Sequence, residues 1–307
     1  MIRARHGVVA WLALGLTACS SPRLANCHIR CGPAEACPSG MTCQQGLCGQ
    51  SGSSCSGSSV PTRTSFAPAI PPNAVLWLEA DDGISAADGE PVTLWHDRSP
   101  ADNSARQPDT HSAPRLHLGA LNQHPVVRFV TPSWMIVADS TSMRWGTADF
   151  ALWAVARCQC GSRSLIFHKT EVAPPWNGPE LFVDGIEGDN QAGLATTSVY
   201  VNGSEPVTSG IGTFADGAPH IFGFQRHLTA LQNRVDGAIV AEATRASTDV
   251  DAPGQASYVG ADGLQPFLQF TGDIAALVAV KGPLLDSELG DIEAYLAGKY
   301  GVALVDQ

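Results

Sequence analysis

From residue 74 onward the chain repeats one pattern: a short apolar or alternating run, then a turn. The runs fall at 75–78, 92–95, 125–129, 150–156, 165–168, 180–183, 198–201, 220–225, 232–235, 238–243, 268–270 and 274–280. Asp184-Gly185, Asn202-Gly203, Asp216-Gly217 and Asp236-Gly237 mark turns between them. Runs this short match strands and are too brief for helices. Asp236-Gly237, inside "LQNRVDGAIVAEA", supplies the two positive-φ positions of a tight hairpin turn. Many evenly spaced short strands predict an all-β, two-sheet sandwich. One helix is expected, in "LLDSELGDIEAYLAGKYG". There Asp286 is placed to cap, Glu288 lies in the first turn and Lys299 in the last, and Gly301 stops the helix. Leu289, Ile292, Leu296 and Tyr300 share a face, which predicts a helix packed on the sandwich.

The 44% hydrophobic content of the 307 residues allows a sizeable core, and 31 glycines and 21 prolines favour turns. Net charge is −11 and only three residues are lysine. Nucleic-acid binding is not expected, because neutralising phosphates needs clustered Lys and Arg.

The N-terminus reads as a targeting segment, residues 1–18. Arg3, Arg5 and His6 precede the apolar stretch "GVVAWLALGL", which is too short to span a bilayer. It ends in Leu16-Thr17-Ala18-Cys19, which resembles the lipobox of bacterial lipoproteins, with Cys19 as the lipidated residue. The resemblance implies a lipid tether to the cell envelope, with the outer membrane, periplasmic or surface-exposed, as the expected location. Residues 19–55 then hold Cys27, Cys31, Cys37, Cys43, Cys48 and Cys55. In an exported chain this density reads as a disulfide framework of undetermined connectivity. Zinc at Cys27, His28 and Cys31 is the alternative, but irregular spacing and an oxidising compartment favour disulfides. Residues 56–73, rich in Ser, Gly and Pro, read as a spacer, and 74–307 as a single sandwich domain. Cys158 and Cys160, in "FALWAVARCQCG", are expected to pin a loop by a disulfide, within the pair or to a neighbouring segment.

Three blocks carry a family resemblance. They are "LWLEADDGI…VTLWHDRSP" with "HPVVRF", then "HIFGFQRHLTALQNRVDGAIVAEA", then "YVGADG…FTGDIAALVAVKGPLLDSELGDIEAYLAGKYGV". In this order they resemble the laminin G-like group of the concanavalin A-like lectin/glucanase superfamily. The resemblance implies a jelly-roll sandwich; members of that fold include lectins, adhesion modules and glycosidases.

The glucanase branch would require a strand with alternating carboxylates, Glu-x-Asp-x-x-Glu. In "GPELFVDGIEGDN", Glu180, Asp184, Glu187 and Asp189 have the wrong spacing, and two glycines interrupt them. No nucleophile elbow, His-Glu-x-x-His pair or phosphate loop is present. Histidines 96, 111, 117 and 124 read as turn residues, not ligands. Calcium, which wants six to eight oxygen ligands, has candidate carboxylates in Asp184 and Asp189 with Asn190, or in Asp249 and Asp251 of "STDVDAPG". Acidic loops are ordinarily only solvated. Sugar binding needs an exposed aromatic face with amide or carboxylate partners. Trp176 beside Asn177 is the candidate, with Asp184 and Asn190 near in sequence. Trp77, Trp95 and Trp153 read as core, while Trp134 and Trp145 fit either role.

The stretch "LWLEADDGISAADGEPVTLWHDRSP" gathers five acids before His96, Asp97, Arg98 and Ser99. It reads as framework: a strand, an acidic connection, and a turn at 97–99 held by local hydrogen bonds and an ion pair. The expected function is therefore non-catalytic recognition of a glycan or surface protein by a lipid-anchored sandwich. Glycan cleavage, by a hydrolase or lyase of this fold, and a purely structural envelope role are the alternatives.

Overall fold

The computed structural model describes residues 29–30, 41–44, 47–50, 70–158, 160, 163–171, 177–184, 196–202, 207–208, 214–244, 249–263 and 268–305. The chain divides into two units, Met1–Thr64 and Ser65–Gln307. In the first, β1 (Ile29–Arg30), β2 (Met41–Gln44) and β3 (Leu47–Gln50) form an antiparallel sheet in the order β1-β3-β2. Cys43 stands opposite Cys48 in its register. Cys19, Cys27, Cys31, Cys37 and Cys55 lie outside the described residues.

The second unit continues in chain order with β4 (Ala74–Glu79), β5 (Leu94–Trp95), β6 (Ala105–Arg106), β7 (Arg115–Leu121), β8 (His124–Phe129), β9 (Met135–Val137) and β10 (Phe150–Cys158). There follow β11 (Ser164–His168), β12 (Asn177–Asp184), β13 (Thr196–Asn202), β14 (Val207–Thr208), β15 (His220–His227), β16 (Ala230–Val235), β17 (Ala238–Thr244), β18 (Ser257–Val259), β19 (Gly272–Lys281) and α1 (Asp286–Tyr300). Two antiparallel sheets result. The first runs β17-β16-β15-β10-β19-β8-β7, with β4 also paired to β19. The second runs β14-β13-β12-β11-β18-β9-β6-β5.

Two apolar layers hold this unit together. Between the sheets lie Leu76, Leu78, Trp95, Phe129, Met135, Phe150, Phe167, Leu181, Phe222 and Leu277, all buried. On the outer face of the first sheet, Trp77, Val126, Trp153 and Val278 pack with Leu289, Ile292, Leu296 and Tyr300 of α1. Strands β4, β10 and β19 are therefore covered on both faces, which is why their sequences are almost continuously apolar. Trp145 belongs to the core, its ring 4.8 Å from Phe150. Helix and sheet are also joined by an ion pair, Arg234 to Glu293 at 2.7 Å, both side chains buried. Cys158 and Cys160 are joined by a disulfide at the end of β10.

Three local expectations need correction. Asp286 is the first helical residue and does not cap; Leu285 precedes it, and the Glu288 carboxylate accepts the Leu285 N–H at 2.8 Å. Residues 268–270 form no strand, because only Gln269 bridges, in parallel, to Leu165. The run at 92–95 is strand only at Leu94–Trp95. The hairpin turn does use Asp236 (φ 50) and Gly237 (φ 85), and Gly301 ends α1 in the left-handed region.

The stretch 76–100 has a structural role that can be followed bond by bond. β4 pairs with β19 along one edge. Along its other edge, the Asp97 carboxylate accepts the Trp77 N–H at 2.7 Å, and the Trp77 carbonyl accepts Arg98 N–H at 3.0 Å. One residue pair further, Asn103 Nδ2 donates to the Val75 carbonyl at 2.7 Å. Asp97 also accepts Ser99 N–H, Ser99 hydroxyl and Asn103 N–H, at 2.8, 2.6 and 2.6 Å. A carboxylate-centred loop thus satisfies a strand edge that would otherwise be open to pairing.

Replacing Asp97 by Ala strips acceptors from four donors at once, and urea unfolding is expected to show a loss of about 2–4 kcal/mol. An unchanged midpoint would contradict this account of the edge. A second expectation concerns pH. Burial alone would lower the His220 pKa, but Asp236 at 2.7 Å and Asp216 at 3.4 Å outweigh it and hold it above the ordinary 6.5. The folded state then binds this proton more tightly than the unfolded chain. The contribution is full below pH 6.5 and lost as pH rises through the folded value. Stability measured against pH should lose that component of its slope in His220→Gln; a slope identical to the parent would refute the assignment.

Candidate functional site

In the second sheet, alternation sends every other residue away from the core. Trp95, Ala105, Met135, Val137, Val259, Phe167 and Leu181 point inward. Their neighbours line up across the outer face by register. Leu94 stands opposite Arg106, Arg106 opposite Ile136, Ile136 opposite Tyr258, Tyr258 opposite His168, and His168 opposite Glu180. A register shift between Leu165 and Phe167 puts Ile166 and Phe167 both in the core. That bulge is what delivers His168 to the outer face. Among the described residues no helix or strand is layered on this face; α1 packs on the first sheet.

His168 is the centre of a polar cluster. Its Nε2 lies 2.9 Å from Thr170 Oγ1, 3.4 Å from Glu180 Oε1 and 3.5 Å from Asp262 Oδ1. The Thr170 hydroxyl donates to the Glu171 carbonyl at 3.3 Å, so its oxygen accepts from the imidazole. This network assigns the ring proton to Nε2. His168 is buried, and among the described residues its Nδ1 has no hydrogen-bond partner. Glu180 is more open, and among the described residues its Oε2 has no partner.

Beside this cluster stands an aromatic pair. The Tyr258 ring is 6.2 Å from His168, edge to face, and 5.9 Å from Trp134, tilted. Trp134 is positioned by its own backbone: its carbonyl accepts Gln107 Nε2 at 3.2 Å, and its N–H donates to the Ser112 carbonyl at 3.1 Å. Gly263 passes directly against Tyr258, where a Cβ would come within 2.1 Å of the ring. Only a glycine lets the backbone approach a ring that closely. Aromatic faces next to a carboxylate with a free oxygen fit the C–H faces and hydroxyls of a sugar.

The residues picked from sequence fall differently. Asn177, half-buried, opens β12, the strand that carries Glu180. Asp184 ends the same strand. Trp176, Asp189 and Asn190 lie outside the described residues. Asp249 and Asp251 use carboxylate oxygens on backbone N–H groups, of Asp251 at 2.9 Å and of Gly146 at 2.6 Å. Among the described residues no three His, Cys, Asp or Glu side chains are grouped to hold a metal ion. His168, Tyr258 and Asp262 are absent from the sequence reading, which left Trp134 open between core and sugar binding. They come from separate segments joined by the β11–β18 and β18–β9 pairings, and nothing in the local patterns of those segments links them.

No protein-family model matches this chain, and no curated protein matches it. Solved structures do. The binding domain of Paraclostridial Mosquitocidal Protein 1 aligns with TM-score 0.51 and 11% identity, over 72% of this chain and 52% of that one. An arabinofuranosidase complexed with arabinofuranosyl-alpha-1,2-xylobiose aligns with TM-score 0.52 and 12% identity, over 68% and 51%. The binding domain of Botulinum Neurotoxin DC in complex with SialylT aligns with TM-score 0.50 and 8% identity, over 73% and 52%. The chain spans about half the length of these structures. The likeness establishes the β-sandwich fold.

Gly263→Ala is expected to drive Tyr258 from its position. Near-UV circular dichroism should change while the far-UV spectrum is retained, with a stability loss of about 1–3 kcal/mol. An unaltered aromatic signal would show that the ring does not rest on residue 263.

Proposed function

We propose that this protein is a non-catalytic, lipid-anchored envelope protein that binds glycans on the outer face of its second sheet. The observation that carries the reading is the row Ile136, Tyr258, His168 and Glu180, flanked by Trp134 and Asp262, on the sheet face turned away from the core, where His168 is buried and Ile136, Tyr258, Glu180 and Trp134 are half-buried. A sugar ring stacks on Tyr258 and donates hydroxyls to Glu180. Two of the similar solved structures, by their own descriptions, are an arabinofuranosidase with a bound arabinofuranosyl-xylobiose and a binding domain with SialylT. Both carboxylates sit on one imidazole nitrogen, whereas a glycosidase sets its pair across an open scissile bond. That arrangement favours binding over cleavage. Cys19 provides the lipid attachment, and the cysteine-rich segment and Ser/Gly/Pro spacer carry the sandwich away from the membrane. Trp176, Asn177, Asp184 and Asn190 are further proposed ligand contacts, and Asp184 and Asp189 proposed calcium ligands.

A glycan array probed with the whole chain, with and without EDTA, tests this. Binding should fall at least about tenfold in Tyr258→Ala and in Glu180→Gln, the loss expected of a central contact. Binding that survives both variants removes the site. Release of reducing ends that disappears in Glu180→Gln would establish catalysis instead.

A further inference from the structure

The outer face of the first sheet is only partly covered by α1. Beyond the helix, at the β19 position 273, a second row crosses four strands. Register places Arg115 of β7 opposite Arg128 of β8, Arg128 opposite Asp273 of β19, and Asp273 opposite Arg157 of β10. Side-chain geometry confirms the row. Arg128 donates from Nε and Nη2 to the two Asp273 oxygens at 2.7 and 3.0 Å. Arg157 approaches Asp273 Oδ2 with Nε at 2.8 Å and Nη2 at 2.7 Å. Asp273 is nearly buried and holds its proton less tightly than an ordinary carboxylic acid: burial opposes this, but the two guanidiniums prevail.

Two arginines thus meet one acid, and a third, Arg115, stands next to Arg128 in the row. Asp273 uses Nε and Nη2 of each partner and leaves both Nη1 groups, on side chains 37% and 29% exposed, without a partner among the described residues. Arg115 is exposed, donates through Nη1 to the Gly89 carbonyl at 2.7 Å, and has no carboxylate partner among the described residues. Asp273 acts as a template that fixes two guanidinium planes side by side, so little entropy is lost when their free edges meet another anion.

We infer that this row is a second binding site, for a polysaccharide bearing sulfate or carboxylate groups. Guanidinium edges match the paired oxygens of both groups. The row spans three strand spacings, roughly 14 Å, which fits successive charges along a polymer better than a single ion. The arginines form one line and not a broad basic patch, which matches a single polymer strand better than a bilayer surface. The inference stands independently of sugar binding on the second sheet, whose row is on the opposite side of the sandwich. With both sites filled, the protein bridges an acidic polymer and another glycan.

The test passes the whole chain over immobilised dextran sulfate, polygalacturonate and unmodified dextran, with phosphatidylglycerol vesicles as a separate arm. Retention is expected on the two acidic polymers and not on dextran, with elution by salt. Arg115→Glu, which leaves the Asp273 clamp in place, should weaken retention roughly five- to tenfold, as should Arg115→Gln to a smaller degree. Lys281→Glu, the same charge change at the far end of β19, should leave it intact. Circular dichroism confirms that each variant is folded. Equal retention of the Arg115 variants and the parent, equal weakening by Lys281→Glu, absence of retention, or binding to vesicles alone would each overturn the inference.

Discussion

Glu79 is the buried charge around which the sandwich closes. Its side chain is fully buried at the end of β4, yet three donors reach it from distant parts of the chain. Arg98 comes from the loop that seals the β4 edge, and Tyr295 and Lys299 come from α1, at 2.6 and 2.8 Å. An isolated buried carboxylate would cost several kcal/mol, so the first strand and last helix of the sandwich are each required by the other. The surrounding groups respond accordingly. Burial beside Glu79 pushes the Tyr295 hydroxyl up to about 12. Burial alone would lower Lys299, but its bonds to Glu79 and Asp81 raise it. Asp81 in turn is held below the usual carboxylate range by Lys299 and His124, against the effect of burial.

This explains why the acidic stretch at 76–100 looks like an active site. Charges buried at a fold's closing point need partners of the residue types that catalysis uses. Glu79, Asp81, Asp82, His124, Arg98 and Lys299 are all paired with each other, and each pairing locks an element in place. Asp97 spends its acceptors on backbone N–H groups and the Ser99 hydroxyl.

Elements whose periodicity reflects burial were legible in the sequence. The Asp236-Gly237 hairpin, the β10 and β19 runs and the face of α1 all appear where spacing places them. Short pieces were harder. Residues 268–270 are apolar because Phe270 plugs the core beside Phe129, not because they pair as a strand. The helix start misled because Glu288 reaches back to Leu285 where a cap at 286 was expected. The site on the second sheet was not legible, although His168, Glu180 and Tyr258 are visible one by one. Its composition depends on a pairing between β11 and β18, some ninety residues apart in sequence, and on a bulge that reverses the parity of His168. Sequence attention fell on Trp176 because an aromatic in a Pro-rich loop is conspicuous, whereas Tyr258 lies within a three-residue strand.

The two faces of the sandwich divide its chemistry. One carries an aromatic and carboxylate row suited to sugar rings, the other a helix and an arginine row suited to charge. Both rows arise from the same device, cross-strand alignment, which needs no specialised loop to bring side chains from distant sequence into contact. The most direct measurement of the central claim is a crystal structure of the sandwich with an oligosaccharide that the array identifies. A sugar ring lying on Tyr258 with a hydroxyl at Glu180 is the predicted result. A sugar held elsewhere, with the Tyr258 face empty, would contradict it.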